Sequence, residues 1–215
     1  MAYAVKELFY TLQGEGAQTG RAAVFLRFTG CNLWTGLEKD RDRGQGGCSR
    51  WCDTDFVGMD GQGGGRFSTA EALASAVQEA WRPGPDGGTP LVVCTGGEPL
   101  LQLDAPLVAA LHTRGFAIAV ETNGTQEAPA GLDWVCVSPK AGGHLVLRAG
   151  NELKLIFPQQ GLSPDDVEGL AFTHFFLQPL DGPDKLRNMQ LAVEYCLAHP
   201  KWRLSLQTHK FLGIP

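Results

Sequence analysis

The sequence predicts an α/β fold, a partial (incomplete) TIM-like barrel of about six parallel strands with few helices. Three observations lead there. Short runs rich in β-branched and apolar residues recur along the chain, several of them apolar at nearly every position, as strands buried on both faces are. Helical patterns alternate with some of these runs, which is how parallel βα units are built. Only three helices are legible, too few for a complete eightfold barrel of about 250 residues.

Taken in order, strands are predicted at residues 24–28, 91–94, 117–120, 134–137, 153–157, 175–177 and 202–206. Ser68-Thr69-Ala70-Glu71 has the form of a capping box and opens a helix over residues 69–81. Asp104 caps a second helix over residues 105–114, closed by Gly115. A third spans residues 185–198 and stops before Pro200. In parallel sheets of this kind the chemistry collects at the C-terminal ends of the strands, so strand-end residues are the first candidates.

The 215 residues suit one domain, 1–215, since domains run to roughly 100–200 residues. Such a chain buries a core without disulfides or a structural metal. A net charge of −5 argues against a nucleic-acid surface, which needs a basic stripe, and leaves a small molecule as the expected substrate. No stretch approaches the ~18 consecutive apolar residues of a membrane span. The start, Met1-Ala2-Tyr3-Ala4-Val5-Lys6-Glu7, lacks the basic and apolar regions of a signal peptide, so a cytoplasmic location is expected.

Six cysteines without an export signal point to a reducing compartment, where thiols bind metals or stay buried. Cys94, Cys136 and Cys196 lie in apolar runs and read as small core residues, whereas Cys31, Cys48 and Cys52 share one polar, Gly-rich segment. Three thiolates on one loop can hold three irons of a [4Fe–4S] cluster and leave the fourth iron open. A zinc site, and with it a non-catalytic binding module, is the alternative, but no cysteine or histidine lies between Cys52 and Cys94 to complete it. Three reduced surface thiols are a further alternative. Gly44, Gly46 and Gly47 are expected to let the long gap after Cys31 bulge into solvent.

The cysteine loop, together with Cys94-Thr95-Gly96-Gly97-Glu98-Pro99, resembles the radical S-adenosylmethionine superfamily. Within it the chain is most similar to the 7-carboxy-7-deazaguanine synthases of queuosine biosynthesis. That likeness runs through Tyr10-Thr11-Leu12-Gln13-Gly14-Glu15-Gly16, Gly30-Cys31-Asn32-Leu33-Trp34, Cys52-Asp53-Thr54-Asp55-Phe56 and Gln207-Thr208-His209-Lys210, and so covers nearly the whole chain. One feature departs from the superfamily's C-x3-C-x2-C: the spacing here is C-x16-C-x3-C, which alters the turn between Cys48 and Cys52.

The resemblance implies conversion of 6-carboxy-5,6,7,8-tetrahydropterin to 7-carboxy-7-deazaguanine with loss of ammonia, through a 5′-deoxyadenosyl radical that takes a hydrogen from C6. It implies a cluster on Cys31, Cys48 and Cys52 and a magnesium ion on Thr54. S-adenosylmethionine would be held by Trp51, Asp53, Gly97, Ser138, Pro139, Lys140, Gln178, Pro179, Leu180 and Asp181. The pterin would be held by Leu12, Gln13, Gly14, Glu15, Arg27, Thr95 and the C-terminal Pro215. Arg27 also stands out physically, since a cation in an apolar strand needs a partner, either the substrate carboxylate or a protein acid. Pro215 has a frayed tail as its alternative. Glu121, Asn123 and His209 are further candidates, and His112, His144, His174 and His199 show no metal-type spacing. The family also implies a homodimer and a flavodoxin or ferredoxin as reductant. A glycyl-radical activating enzyme shares the cluster, but it leaves the Gln13 region and the C-terminal stretch without a role.

Overall fold

Nine strands and four helices follow the chain in the computed structural model, which describes residues 2–82 and 87–215; Met1 and residues 83–86 lie outside that description. Strands β1 (Tyr3–Leu12), β2 (Ala22–Phe28) and β3 (Gly65–Phe67) come first, then helix α1 (Ala70–Ala80) and β4 (Leu91–Gly96). Helix α2 (Ala105–Thr113) leads into β5 (Ala117–Thr122), β6 (Trp134–Val137), β7 (Ala149–Phe157) and β8 (Ala171–Pro179). Helix α3 (Lys185–Ala198), β9 (Trp202–Leu204) and helix α4 (Thr208–Leu212) complete the chain.

All nine strands join one sheet in the order β3-β1-β2-β4-β5-β6-β7-β8-β9. β1 pairs antiparallel with both β2 and β3, while β2 and β4 through β9 run parallel, seven strands in one direction. The predicted parallel strands are all present. β1 and β3 were not predicted. β1 is hidden because Lys6 and Glu7 break its apolar pattern, and β3 is only three residues long.

The helices sit where their caps put them, with two differences. Thr69, not Ser68, caps α1, its side chain accepting from the Ala72 amide at 3.1 Å. α4 lies in a stretch the sequence read only as a motif. α1 and α2 cover one half of the sheet over a core that includes Val24, Leu26, Val92, Leu111 and Ile118. α3 covers β7 to β9 over Leu153, Leu155, Leu177 and Trp202. Cys94 and Cys136 are buried as expected, whereas Cys196 is half-buried.

The sheet is strongly curled. β1 and β7 are five strand steps apart, about 24 Å on a flat sheet at about 4.8 Å per step. Yet Lys154 on β7 bonds Glu15, three residues past the end of β1, at 2.5 Å. Beyond β9, at the far edge, Thr208 donates both its amide and its hydroxyl to the Gly14 carbonyl, each at 2.9 Å. Ser205 Oγ accepts from the Gly16 amide at 2.9 Å. The loop after β1 and the segment after β9 therefore meet across the inside of the curl.

Asp104 serves two elements with one oxygen, accepting from the Leu107 amide at 3.1 Å as cap of α2 and from the Tyr3 hydroxyl at 2.6 Å. Asp104→Ala removes the cap and strands the hydroxyl, and is expected to lower stability by about 2 kcal/mol in urea unfolding, whereas Asp104→Asn loses less.

Candidate active site

Strand alternation decides which side chains face the inside of the curl. Along β2 the inner face reads Ala23, Phe25, Arg27, along β4 Leu91, Val93, Thr95, and along β5 Ala117, Ala119, Glu121. The early members form a small apolar cluster and the last members turn polar. Arg27, Thr95 and Glu121 thus open into a cavity of about 460 Å³ at the C-terminal ends of the parallel strands.

That cavity gathers almost every residue singled out from the sequence. Leu12, Gln13, Gly14, Glu15, Arg27, Thr95 and Pro215 line it, as do Trp51, Asp53, Gly97, Ser138, Lys140, Gln178, Pro179, Leu180 and Asp181. Cys31, Cys48, Cys52 and Thr54 are there too, and so are Glu121, Asn123 and His209. Pro139 is the exception: it is buried behind the wall, its carbonyl accepting from Gln159 Nε2 at 3.3 Å. The lining also includes Lys154, Lys6 and Glu7, which carried no role in the sequence. His112 pairs with Asp133 at 3.0 Å, and His174 stacks on Trp134, both away from the cavity.

The cysteine loop is built by close packing. A side chain on Gly44 would run into Ser49 Oγ at 2.5 Å, so this glycine lets the segment fold back on itself and does not serve a bulge into solvent. Arg41 braces the turn, donating to the Ser49 carbonyl at 2.8 Å and lying over the Trp34 ring at 5.0 Å. The C-x3-C spacing is absorbed by one helical turn: the Cys48 carbonyl accepts from Trp51 at 3.0 Å and from Cys52 at 2.7 Å. A spacing of four residues on such a turn leaves both thiols on one side. Burial pushes the Cys48 thiol up to about 11, with Lys140 opposing, and it raises Cys31 as well. Thiols in this setting ionise when a cation binds them.

Cys31 is held against the glycine loop after β4. A Cβ on Gly97 would lie 2.7 Å from the Cys31 Cβ, closer than side chains approach, so glycine is required there. The Glu98 amide donates to the Gly30 carbonyl at 2.9 Å. The Glu98 side chain is fully buried and accepts from Thr122 Oγ1 at 2.7 Å, the Asn123 amide at 2.8 Å and the Leu100 amide at 3.0 Å. Burial raises its pKa, with those three donors opposing. Asn123 Nδ2 continues the network to Asn32 Oδ1 at 3.1 Å, next to Cys31. Glu98 thus fixes the ends of β4 and β5 and the cysteine loop together.

Arg27 has taken the protein-acid alternative in part. Its Nε donates to Glu7 at 2.7 Å, which leaves the rest of the guanidinium fork at the cavity wall. Lys6 clasps the loop after Cys52 through Asp55 at 2.8 Å and Asp60 at 2.7 Å. Lys210 on α4 reaches Asp53 at 2.7 Å and Asp181 at 2.5 Å, closing one side of the cavity. Pro215 is tied down, its carbonyl oxygen accepting from Thr11 at 3.0 Å.

The donor set fits an iron–sulfur cluster. Three thiols line one cavity, while among the described residues no three His, Cys, Asp or Glu side chains converge to hold a single metal ion. A cluster offers each thiolate its own iron, so convergence on one point is not required. The buried Trp34 indole nitrogen, on the same loop, has no hydrogen-bond partner among the described residues.

Comparison with known proteins gives a consistent answer. The chain is 62% identical over 215 residues to a 7-carboxy-7-deazaguanine synthase of Caulobacter vibrioides and 60% identical to one of Bordetella pertussis, in each case over all of both chains. A synthase of the same name from Nitratidesulfovibrio vulgaris is 56% identical over 220 residues, again over the full length of both. The crystal structure of QueE from Escherichia coli superimposes with a TM-score of 0.69 at 28% identity, covering 96% of this chain and 94% of that one. No protein-family model matches the chain.

The Lys210 hydrogen bond, with further help from Lys185, holds the Asp181 carboxyl below its ordinary value against the effect of burial. A depressed folded-state pKa means that the clasp contributes above the ordinary aspartate value of about 3.9 and is lost as pH falls through the depressed one. Lys210→Met should move the Asp181 titration, followed by carboxyl carbon shifts, up toward about 3.9; an unmoved titration would remove Lys210 as the cause.

Proposed function

The chain belongs to the 7-carboxy-7-deazaguanine synthase family, and from that premise we propose how its cavity converts 6-carboxy-5,6,7,8-tetrahydropterin to 7-carboxy-7-deazaguanine with loss of ammonia. The observation that carries the reading is the convergence, in one cavity at the strand ends, of three thiols, a glycine loop and a wall of polar side chains. Full-length likeness to synthases leaves a glycyl-radical activating enzyme and a zinc module without support.

Cys31, Cys48 and Cys52 would hold a [4Fe–4S] cluster. With S-adenosylmethionine, that cluster supplies a 5′-deoxyadenosyl radical when bound, and the hard chemistry is the cofactors' own. The chain's part is to bind, orient and exclude water. Gly97 brings backbone close to the cysteine loop, and Ser138, Lys140, Gln178, Pro179 and Leu180 present strand-end groups to the S-adenosylmethionine. Asp53 and Asp181 reach that side too, already paired with Lys210. Trp51, with Lys140 Nζ 5.7 Å from its ring centre, offers a flat face for the adenine. Pro139 acts from behind, by holding the turn that carries Ser138 and Lys140.

For the pterin, Arg27 offers a guanidinium fork to the carboxylate, and Leu12, Gln13, Gly14, Glu15 and Thr95 offer donors and acceptors to the ring edges. Pro215 faces the same space. Thr54 would supply one hydroxyl to Mg2+, which keeps most of its oxygens from water and substrate. The sheet, curled until the loops beyond β1 and β9 touch, supports an incomplete barrel. The single domain 1–215 goes with it. Leu186, Val193 and Leu197 form an uncovered apolar stripe on α3, which supports a homodimer. No helix among the described residues is long and apolar enough to cross a membrane, and we take the enzyme as cytoplasmic with a flavodoxin or ferredoxin as electron donor.

Protein reconstituted anaerobically with iron and sulfide and given S-adenosylmethionine, dithionite, Mg2+ and the pterin should yield 5′-deoxyadenosine and 7-carboxy-7-deazaguanine by mass spectrometry. Cys31→Ala should lose both products, and Thr54→Ala should lose the stimulation by Mg2+. Deoxyadenosine without the deazaguanine would overturn the substrate, and colourless zinc protein without either product would overturn the cofactors.

A further inference from the structure

Lys154 sits in the middle of β7 with a side chain only 4% exposed. A buried ammonium is costly unless it is paired and hydrogen-bonded. Its partners come from two distant parts of the chain: Glu15 beyond β1 at 2.5 Å and Glu121 on β5 at 3.1 Å, with Glu121 in turn holding the amide of Gln13 beside Glu15. All four residues line the cavity.

We propose that Lys154 is a positioning residue of the synthase reaction: its ammonium fixes the carboxylates of Glu15 and Glu121, and through them the Gln13 amide, as the wall against which the pterin seats. This rests on the synthase reading above. Gln13 Nε2 donates to Glu121 Oε1 at 2.8 Å, while its Oε1 accepts from the Glu15 amide at 3.1 Å. An ionised Glu121 can only accept, so it holds the Gln13 amide in one orientation. A neutral group there could both donate and accept and would no longer fix it. The charge on Lys154 thereby decides which polar groups the wall offers.

The surroundings make Lys154 the controlling charge. Glu152, on the same face of β7, is buried and accepts from the Ala17 amide at 3.0 Å and from the Cys136 thiol of β6 at 3.6 Å. His209 of α4 lies near Glu15, and Lys140 beyond β6 is the other nearby cation. Three acids therefore crowd one ammonium. Burial alone would raise Glu15; the Lys154 charge overrides it and holds the carboxyl well below the usual range. Lys154 is itself pushed up, the carboxylates outweighing its burial. Without the ammonium, burial is left unopposed at Glu15 and Glu152 and favours their neutral forms.

The test compares Lys154→Met and Lys154→Arg holoenzymes for KM of the pterin, KM of S-adenosylmethionine and the pH profile of kcat/KM. Lys154→Met should raise the pterin KM about tenfold or more and move the acid limb of kcat/KM up by about one pH unit or more. The KM for S-adenosylmethionine should hardly move, and Lys154→Arg should bring the acid limb back. Should Lys154→Met not fold, the charge-balanced Lys154→Gln with Glu152→Gln takes its place, with a raised pterin KM expected. A folded variant with wild-type KM and pH profile would overturn the proposal. Wild-type enzyme making deoxyadenosine but no deazaguanine would overturn the premise beneath it.

Discussion

The closure of a curled sheet by polar contacts is what the site depends on. Seven parallel strands bring all their C-terminal ends to one side, but a parallel sheet left open would spread those ends apart. Here the segment after β9 clasps the loop after β1 through Thr208 and Ser205, and Lys154 draws the same loop inward. Each of these groups is polar and at least partly buried, so each is costly unless its partner is in place. Closure and pairing are therefore one event. The loop with Gln13, Gly14 and Glu15 is held both by its own hairpin bonds and by the far edge of the sheet.

A second network does for the cysteine loop what the closure does for the loop after β1. Glu98 ties β4, β5 and the backbone before Cys31 with bonds that leave none of its oxygens idle. Lys6 clasps the segment after Cys52, and Arg41 braces the turns between. The three thiols are thus held in place by the end of β4 and by a loop pinned to its neighbours, as precise sites require. The inserted stretch between Cys31 and Cys48 keeps the chain's path because it packs on itself, with glycine at the tightest approach.

Much of this was legible in the sequence where chemistry is written locally. The parallel strands show as apolar runs, and the cysteines, the glycine loop and the strand-end Ser138 and Gln178 stand in short motifs. β1 escaped because Lys6 looks unfit for a strand until Asp55 and Asp60, some fifty residues on, are brought to it. Lys154 escaped for the opposite reason: its apolar neighbours hid a charge whose partners lie 139 and 33 residues away. Arg27 was read as needing an acid or a substrate, and Glu7, which supplies the acid, faces it only through the β1–β2 register. Pairings made by tertiary closure leave no local trace.

The reading at the centre is that Cys31, Cys48 and Cys52 would hold a [4Fe–4S] cluster that binds S-adenosylmethionine. Electron paramagnetic resonance of the anaerobically reconstituted, reduced protein addresses it directly, with and without S-adenosylmethionine and before any pterin is added. The account predicts a reduced [4Fe–4S] signal that changes shape when S-adenosylmethionine binds and is lost in Cys52→Ala. A cluster signal indifferent to S-adenosylmethionine, or one that survives loss of Cys52, would contradict it.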